Sequence, residues 1–167
     1  VANVTASASS VSQSTETPSN TNLPPYTVGP TTLKANLANG SAADQVQQQY
    51  IATLSLAGAA QTIDLTSLTD PLGVAVNFTA IKRLRVRHKG TTDGQNLTMK
   101  PGTTNGWTAL LNSAGTLAIC PATGNNPAWV EFVAPNTTAW AVSSTSKTIT
   151  FDPGANTYGV DLEIYGI

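Results

Sequence analysis

From residue 50 onward the chain alternates hydrophobic and polar residues in short runs separated by turn residues. The clearest run ends the sequence: Val160, Leu162 and Ile164 fall on one side of a two-residue period, and Asp161, Glu163 and Tyr165 on the other. That period is the mark of a strand with one buried face. Similar runs cover residues 50–56, 61–68, 78–89, 95–100, 117–120, 129–134, 139–143 and 147–151. Turn residues divide them, as in Asp70-Pro71-Leu72-Gly73, Gly90 and Asp93-Gly94. Eight or nine strands at such spacing, with no helical periods between them, predict an all-β antiparallel sandwich of jelly-roll type. Leu84, Val86, Ile149, Phe151, Val160, Leu162 and Ile164 are expected in one core. Residues 42–49 are the one place where a helical turn is expected.

The first 45 residues break this pattern. They carry three charges (Glu16, Lys34 and Asp44), fourteen Ser or Thr, and only one of the chain's ten aromatics. Residues 18–30, with Pro24-Pro25 at their centre, should be extended. So little apolar surface cannot offset the entropy of ordering. The division expected is an extended Ser/Thr/Pro-rich arm over residues 1–45 and a β-sandwich over 46–167.

Charge changes the picture at one place. The chain is 10% charged with a net charge of −1, which disfavours nucleic acid as a partner. Yet five of its eight Lys and Arg residues fall between positions 82 and 89. Arg83, Arg85, Arg87 and Lys89 alternate with Leu84, Val86 and His88, which places a cationic ladder on one strand face. Such a ladder either protects an edge strand from pairing or meets a partner's acidic surface. These four residues are the candidate partner-binding set.

Other chemistry is sparse. One His and one Cys cannot supply the nitrogen and sulfur ligands of a zinc site, and no loop places acids as a calcium loop does. No metal, cofactor or catalytic set is therefore assigned, and the protein is expected not to be an enzyme. His88 would have to be the base of any Ser or Cys nucleophile, but its register turns it toward the core. Asp161 and Glu163 share a face roughly 7 Å apart, near a glycosidase separation, but a solvated strand face explains them equally well. Cys120 reads as a small buried hydrophobe. Trp129 and Trp140 read as core or interface, and Trp107, beside the glycine-bounded segment 102–106, as the exposed aromatic of a sugar- or receptor-binding alternative. No apolar run is long enough to span a bilayer, so no membrane partner is expected.

Three stretches carry a family resemblance: Leu-Ala-Gly-Ala-Ala-Gln-Thr-Ile-Asp-Leu-Thr-Ser-Leu-Thr-Asp-Pro-Leu-Gly at 56–73, Phe-Thr-Ala-Ile-Lys-Arg-Leu-Arg-Val-Arg at 78–87, and Thr-Thr-Asp-Gly-Gln-Asn-Leu-Thr at 91–98. With the ending Asp-Pro-Gly-Ala-Asn-Thr-Tyr-Gly-Val-Asp-Leu-Glu-Ile-Tyr-Gly-Ile at 152–167, they resemble small tailed-phage and prophage structural proteins. The resemblance spans 46–167 and leaves the arm outside. It implies a virion protein, assembled in the host cytoplasm, that decorates or cements the capsid or forms a fibre or tail accessory. Its implied partners are the major capsid protein or other virion proteins, and copies of itself in a homo-oligomer.

Overall fold

The computed structural model describes residues 4–16, 26–70, 72–123 and 127–167. Two antiparallel sheets face each other. The first has the order β11-β8-β14-β4, built from β4 (Gln48–Ala57), β8 (Ala80–His88), β11 (Ala128–Val133) and β14 (Thr157–Gly166). A short β12 (Trp140–Ala141) pairs with β8 beyond β11. The second sheet has the order β10-β9-β13-β5, from β5 (Gln61–Asp64), β9 (Leu97–Pro101), β10 (Leu117–Ile119) and β13 (Thr148–Asp152). The pairing of the eight main strands is nested. The first pairs with the last (β4–β14), the second with the seventh (β5–β13), the third with the sixth (β8–β11), and the fourth with the fifth (β9–β10).

The two-residue period explains which faces meet. Leu84, Val86, Val160, Leu162 and Ile164 turn inward from the first sheet, and Leu97, Met99, Ile149 and Phe151 from the second. All seven residues expected in one core belong to it. Burial of such side chains contributes about 1.5–3 kcal/mol each, which is why the alternation is so clean from Leu84 to His88 and from Val160 to Ile164.

A bulge interrupts the period at the start of β8. Arg83 pairs with Tyr165, but Ile81 pairs with Gly166, so Lys82 is an extra residue. The shift lets Ile81 join the core although it is in phase with the arginines. Gly166 is required here, because a Cβ would lie 2.2 Å from the Ala80 carbonyl oxygen.

The amino-terminal residues form strands. β1 (Ala6–Glu16) and β2 (Tyr26–Asn39) pair antiparallel from Ala6↔Leu37 to Glu16↔Tyr26. Residues 18–25 of the expected proline-rich segment lie outside the described residues. At the open end of the hairpin, β2 pairs in parallel with β3 (Gln45–Val46). There Val4, Ala6 and Leu37 pack with Val46 and with Tyr165 of β14. The helical turn expected at residues 42–49 does not form. Asp44 takes a positive φ of 55°, and the main chain bonds back to β2 through Ala38 N–H to Asp44 O at 2.7 Å and Gly40 N–H to Val46 O at 2.9 Å.

Candidate functional site

The cationic ladder lies on the outer face of the first sheet, and β8 is an interior strand with β11 on one side and β14 on the other. Edge protection is therefore not its role. The register brings acids to it from both neighbours: Glu131 and Glu163 flank Arg85, and Asp161 lies opposite Arg87. Arg83 Nε contacts Glu131 Oε1 at 2.6 Å, and Arg83 Nη2 approaches Glu163 Oε2 at 3.7 Å. Arg85 Nη1 lies 3.1 Å from Glu163 Oε1. Arg87 Nη1 and Lys89 Nζ share Asp161 at 3.7 and 3.4 Å. What the alternation announced as a row of free cations is a cross-strand array of alternating sign.

The array is graded in exposure. The Arg83 side chain is 8% exposed and that of Glu131 13%, whereas Arg87 is 50% and Lys89 45% exposed. At the closed end the Arg83 guanidinium sits 5.2 Å from the Tyr165 ring centre, and Tyr165 is packed under the base of the hairpin. Burial raises the Tyr165 pKa and the Glu163 charge adds to that, while Arg83 and Arg85 oppose both. Toward the open end Arg85 lies 5.3 Å from the ring centre of Trp129, which is 44% exposed. An Arg on an aromatic face contributes about 0.5–1 kcal/mol at such exposed sites. Of the four candidate residues, Arg87 and Lys89 present the most exposed charges.

The exposed tryptophan is not the one the sequence suggested. Trp107 is 2% exposed, fills the core, and donates from Nε1 to the Ala141 carbonyl at 2.9 Å. Its segment has no strand period to read, because it folds over the end of the sandwich through Trp107 N–H to Thr148 O at 2.7 Å. Trp129 is exposed because it shares the outer face with Arg87 on an edge strand. Cys120 is likewise exposed rather than buried, since it follows inward-facing Ile119 and so turns the other way.

His88 is enclosed, as its phase with Leu84 and Val86 implied. Its Nδ1 accepts from Gly90 N–H at 2.8 Å, which places the ring proton on Nε2, and Nε2 donates to Gln95 O at 2.7 Å. Both nitrogens are occupied, so the imidazole has none left to activate a nucleophile. Burial lowers its pKa, opposed by the bond to Gln95. As pH falls below the unfolded value of about 6.5, the unfolded chain takes up a proton before the folded one does. Stability from this site is thus complete above that pH and declines below it, by up to about 1.4 kcal/mol per pH unit, until the folded imidazole also protonates. Urea midpoints measured across this range should fall on acidification, and His88→Gln should flatten the slope. Asp152, lowered by bonds from Lys100 and from Gly154 N–H, responds only below the usual carboxylate range, so the two effects separate.

Lys82 was not among the candidate residues. It is fully buried at the bulge, and its ammonium donates to the carbonyls of Ala42 at 3.3 Å, Thr137 at 3.4 Å and Asn136. Ala134 N–H donates to Lys82 O at 2.7 Å, and Asp44 N–H to Pro135 O at 2.7 Å. Lys82 therefore ties the turn after the hairpin to the crossover between β11 and β12. Burial lowers its pKa and the charge of Asp44 opposes that. Its signal in the sequence was a phase conflict: Lys82 is in register with Leu84 and Val86, where a lysine does not belong unless the strand is bulged.

Among the described residues, no three or more His, Cys, Asp or Glu side chains converge as metal ligands. A shallow groove of about 380 Å³ runs along Ile51, Thr53, Asp161 and Glu163. Its carboxylates already serve the array, and Asp161 Oδ1 also accepts from Thr53 Oγ1 at 2.7 Å. No protein-family model, curated protein or solved structure matches the chain.

Proposed function

We propose that this chain is a non-enzymatic structural protein of a phage particle, which attaches to the capsid shell and reinforces it through its amino-terminal hairpin. The observation that carries this reading is the hairpin itself. From its anchored pair, Ala6↔Leu37, to its last pair, Glu16↔Tyr26, it extends roughly 34 Å at the usual strand rise. A two-stranded hairpin is marginal in water without further packing, and among the described residues its apolar contacts with the sandwich are at the open end. Such an element gains stability when a neighbouring subunit covers it, as in a lattice.

Two further features agree. The nested strand pairing supports a jelly-roll reading of the sandwich, and jelly rolls are used in viral shells. Arg87, Lys89 and Trp129 form an accessible patch at the open end of the charge array, suited to an acidic, partly apolar protein surface. The sugar-binding alternative loses Trp107 and would have to rest on Trp129, whose ring already neighbours Arg85.

The test separates attachment from folding. Ser10 pairs with Leu33, so residues 11–32 can be replaced by an Asn-Gly turn that keeps the base and its packing. Full-length chain should co-sediment with purified particles stripped of it, and the shortened chain should not. Arg87→Gln/Lys89→Gln should weaken attachment and flatten its dependence on salt, since these charges are screened beyond about 8–10 Å. Equal co-sedimentation of full-length and shortened chains would remove the hairpin from the account.

A further inference from the structure

The outer edge of β4 is unlike the other edges of the sandwich. β11 carries Glu131, β5 carries Asp64, and β10 is three residues long. β4 is ten residues long, Gln-Gln-Tyr-Ile-Ala-Thr-Leu-Ser-Leu-Ala, with no charge and no proline. Among the described residues no strand pairs with its outer edge. Long, uncharged edges offer unpaired N–H and C=O groups to another strand, and proteins normally blunt them with lysine, proline or bulges. None of those devices is present in β4.

Apolar side chains collect at the same place. Among the described residues four large hydrophobic side chains are exposed: Ile51 at 43%, Leu72 at 86%, Val74 at 57% and Trp129. Ile51 lies on β4. Leu72 and Val74 lie on the turn between β6 (Leu68–Thr69) and β7 (Ala75–Val76), in a cleft of about 320 Å³ that Gln47, Gln48 and Gln49 also line. The Gln48 side chain holds the end of β7 beside the start of β4, donating to Asn77 O at 2.9 Å and accepting from Asn77 N–H at 2.8 Å.

We infer that β4 pairs antiparallel with β4 of a second copy of this chain, joining the β11-β8-β14-β4 sheets of the two copies into one across a two-fold axis. The edge is self-complementary. A register centred on Thr53 sets Ile51 of one copy opposite Ser55 of the other and brings no charge against a like charge. The strand runs from Thr53 back to Gln48 and on to Ala57, so Gln48 of one copy lies opposite Gly58, just past the strand, of the other. The small residues Gly58, Ala59 and Ala60 of one copy therefore meet the Leu72–Val74 turn of the other. Three of the four exposed large hydrophobic residues then lie in or beside one isologous contact. The inference is independent of any role in a particle.

Sedimentation velocity of the full chain, from micromolar to near-millimolar, is expected to give twice the 17.2 kDa chain mass. Ile51→Lys/Ser55→Lys places like charges across the joint and should weaken the dimer by at least about tenfold. Ala114→Lys, on an exposed turn elsewhere, should leave it unchanged. In the unaltered chain, hydrogen exchange at residues 51–57 should slow as concentration rises. A monomer at every concentration, a dimer indifferent to the edge lysines, or concentration-independent exchange at residues 51–57 would overturn the inference. The exchange measurement decides even if the double variant does not fold.

Discussion

Trp107→Ala is expected to destabilise the protein by about 3–5 kcal/mol, the range for deleting a large aromatic from a packed core. The residue is 2% exposed, and its indole N–H satisfies the Ala141 carbonyl. Its loss opens a cavity at the end of the sandwich and leaves that carbonyl without its partner. Trp129→Ala, at a site 44% exposed, should cost far less. Urea denaturation of the two variants side by side gives the comparison, and equal costs would mean that the end of the sandwich is not closed as described.

Lys82→Ala is expected to cost about 2–5 kcal/mol, because it deletes the whole of a fully buried side chain. The substitution empties the space at the bulge and removes the donor that the carbonyls of Ala42, Asn136 and Thr137 share. The loss should also be local. Hydrogen exchange should accelerate at residues 40–46 and 134–139, which Lys82 holds together, more than in β13 or β14. Arg87→Gln, at a half-exposed ion pair, should change stability by no more than about 1 kcal/mol. A tolerated Lys82→Ala would show that the turn after the hairpin is held by its main-chain bonds alone.

These two residues also mark where the sequence stops being legible. Strands with one buried face are readable because burial imposes a two-residue period, and β8 and β14 appear at nearly their observed lengths. Their inward residues followed directly. Which strands would be neighbours left no local mark, so the acids that neutralise the ladder, Glu131, Asp161 and Glu163, could not be matched to Arg83, Arg85 and Arg87 beforehand. The ladder therefore looked like a free cationic surface, and its closed end, Arg83, is in fact enclosed. Trp107 was misjudged because burial there comes from a loop folded across the sandwich, where glycine-rich context mimics exposure. Cys120 was readable in principle, since alternation along 117–120 puts it on the face opposite Leu117 and Ile119. The helical turn at 42–49 failed because propensity over a few residues is weak against pairing of β3 with β2.

The central claim is that the sandwich attaches to a particle shell and reaches its neighbours through the hairpin. Single-particle imaging of the particle tests it most directly. The account predicts density of a β-sandwich on the outer shell at a symmetry axis, with a two-stranded ribbon running onto the adjacent subunit and missing when residues 11–32 are replaced by a short turn. Particles that lack this chain, or that carry it with the hairpin touching nothing, would contradict it.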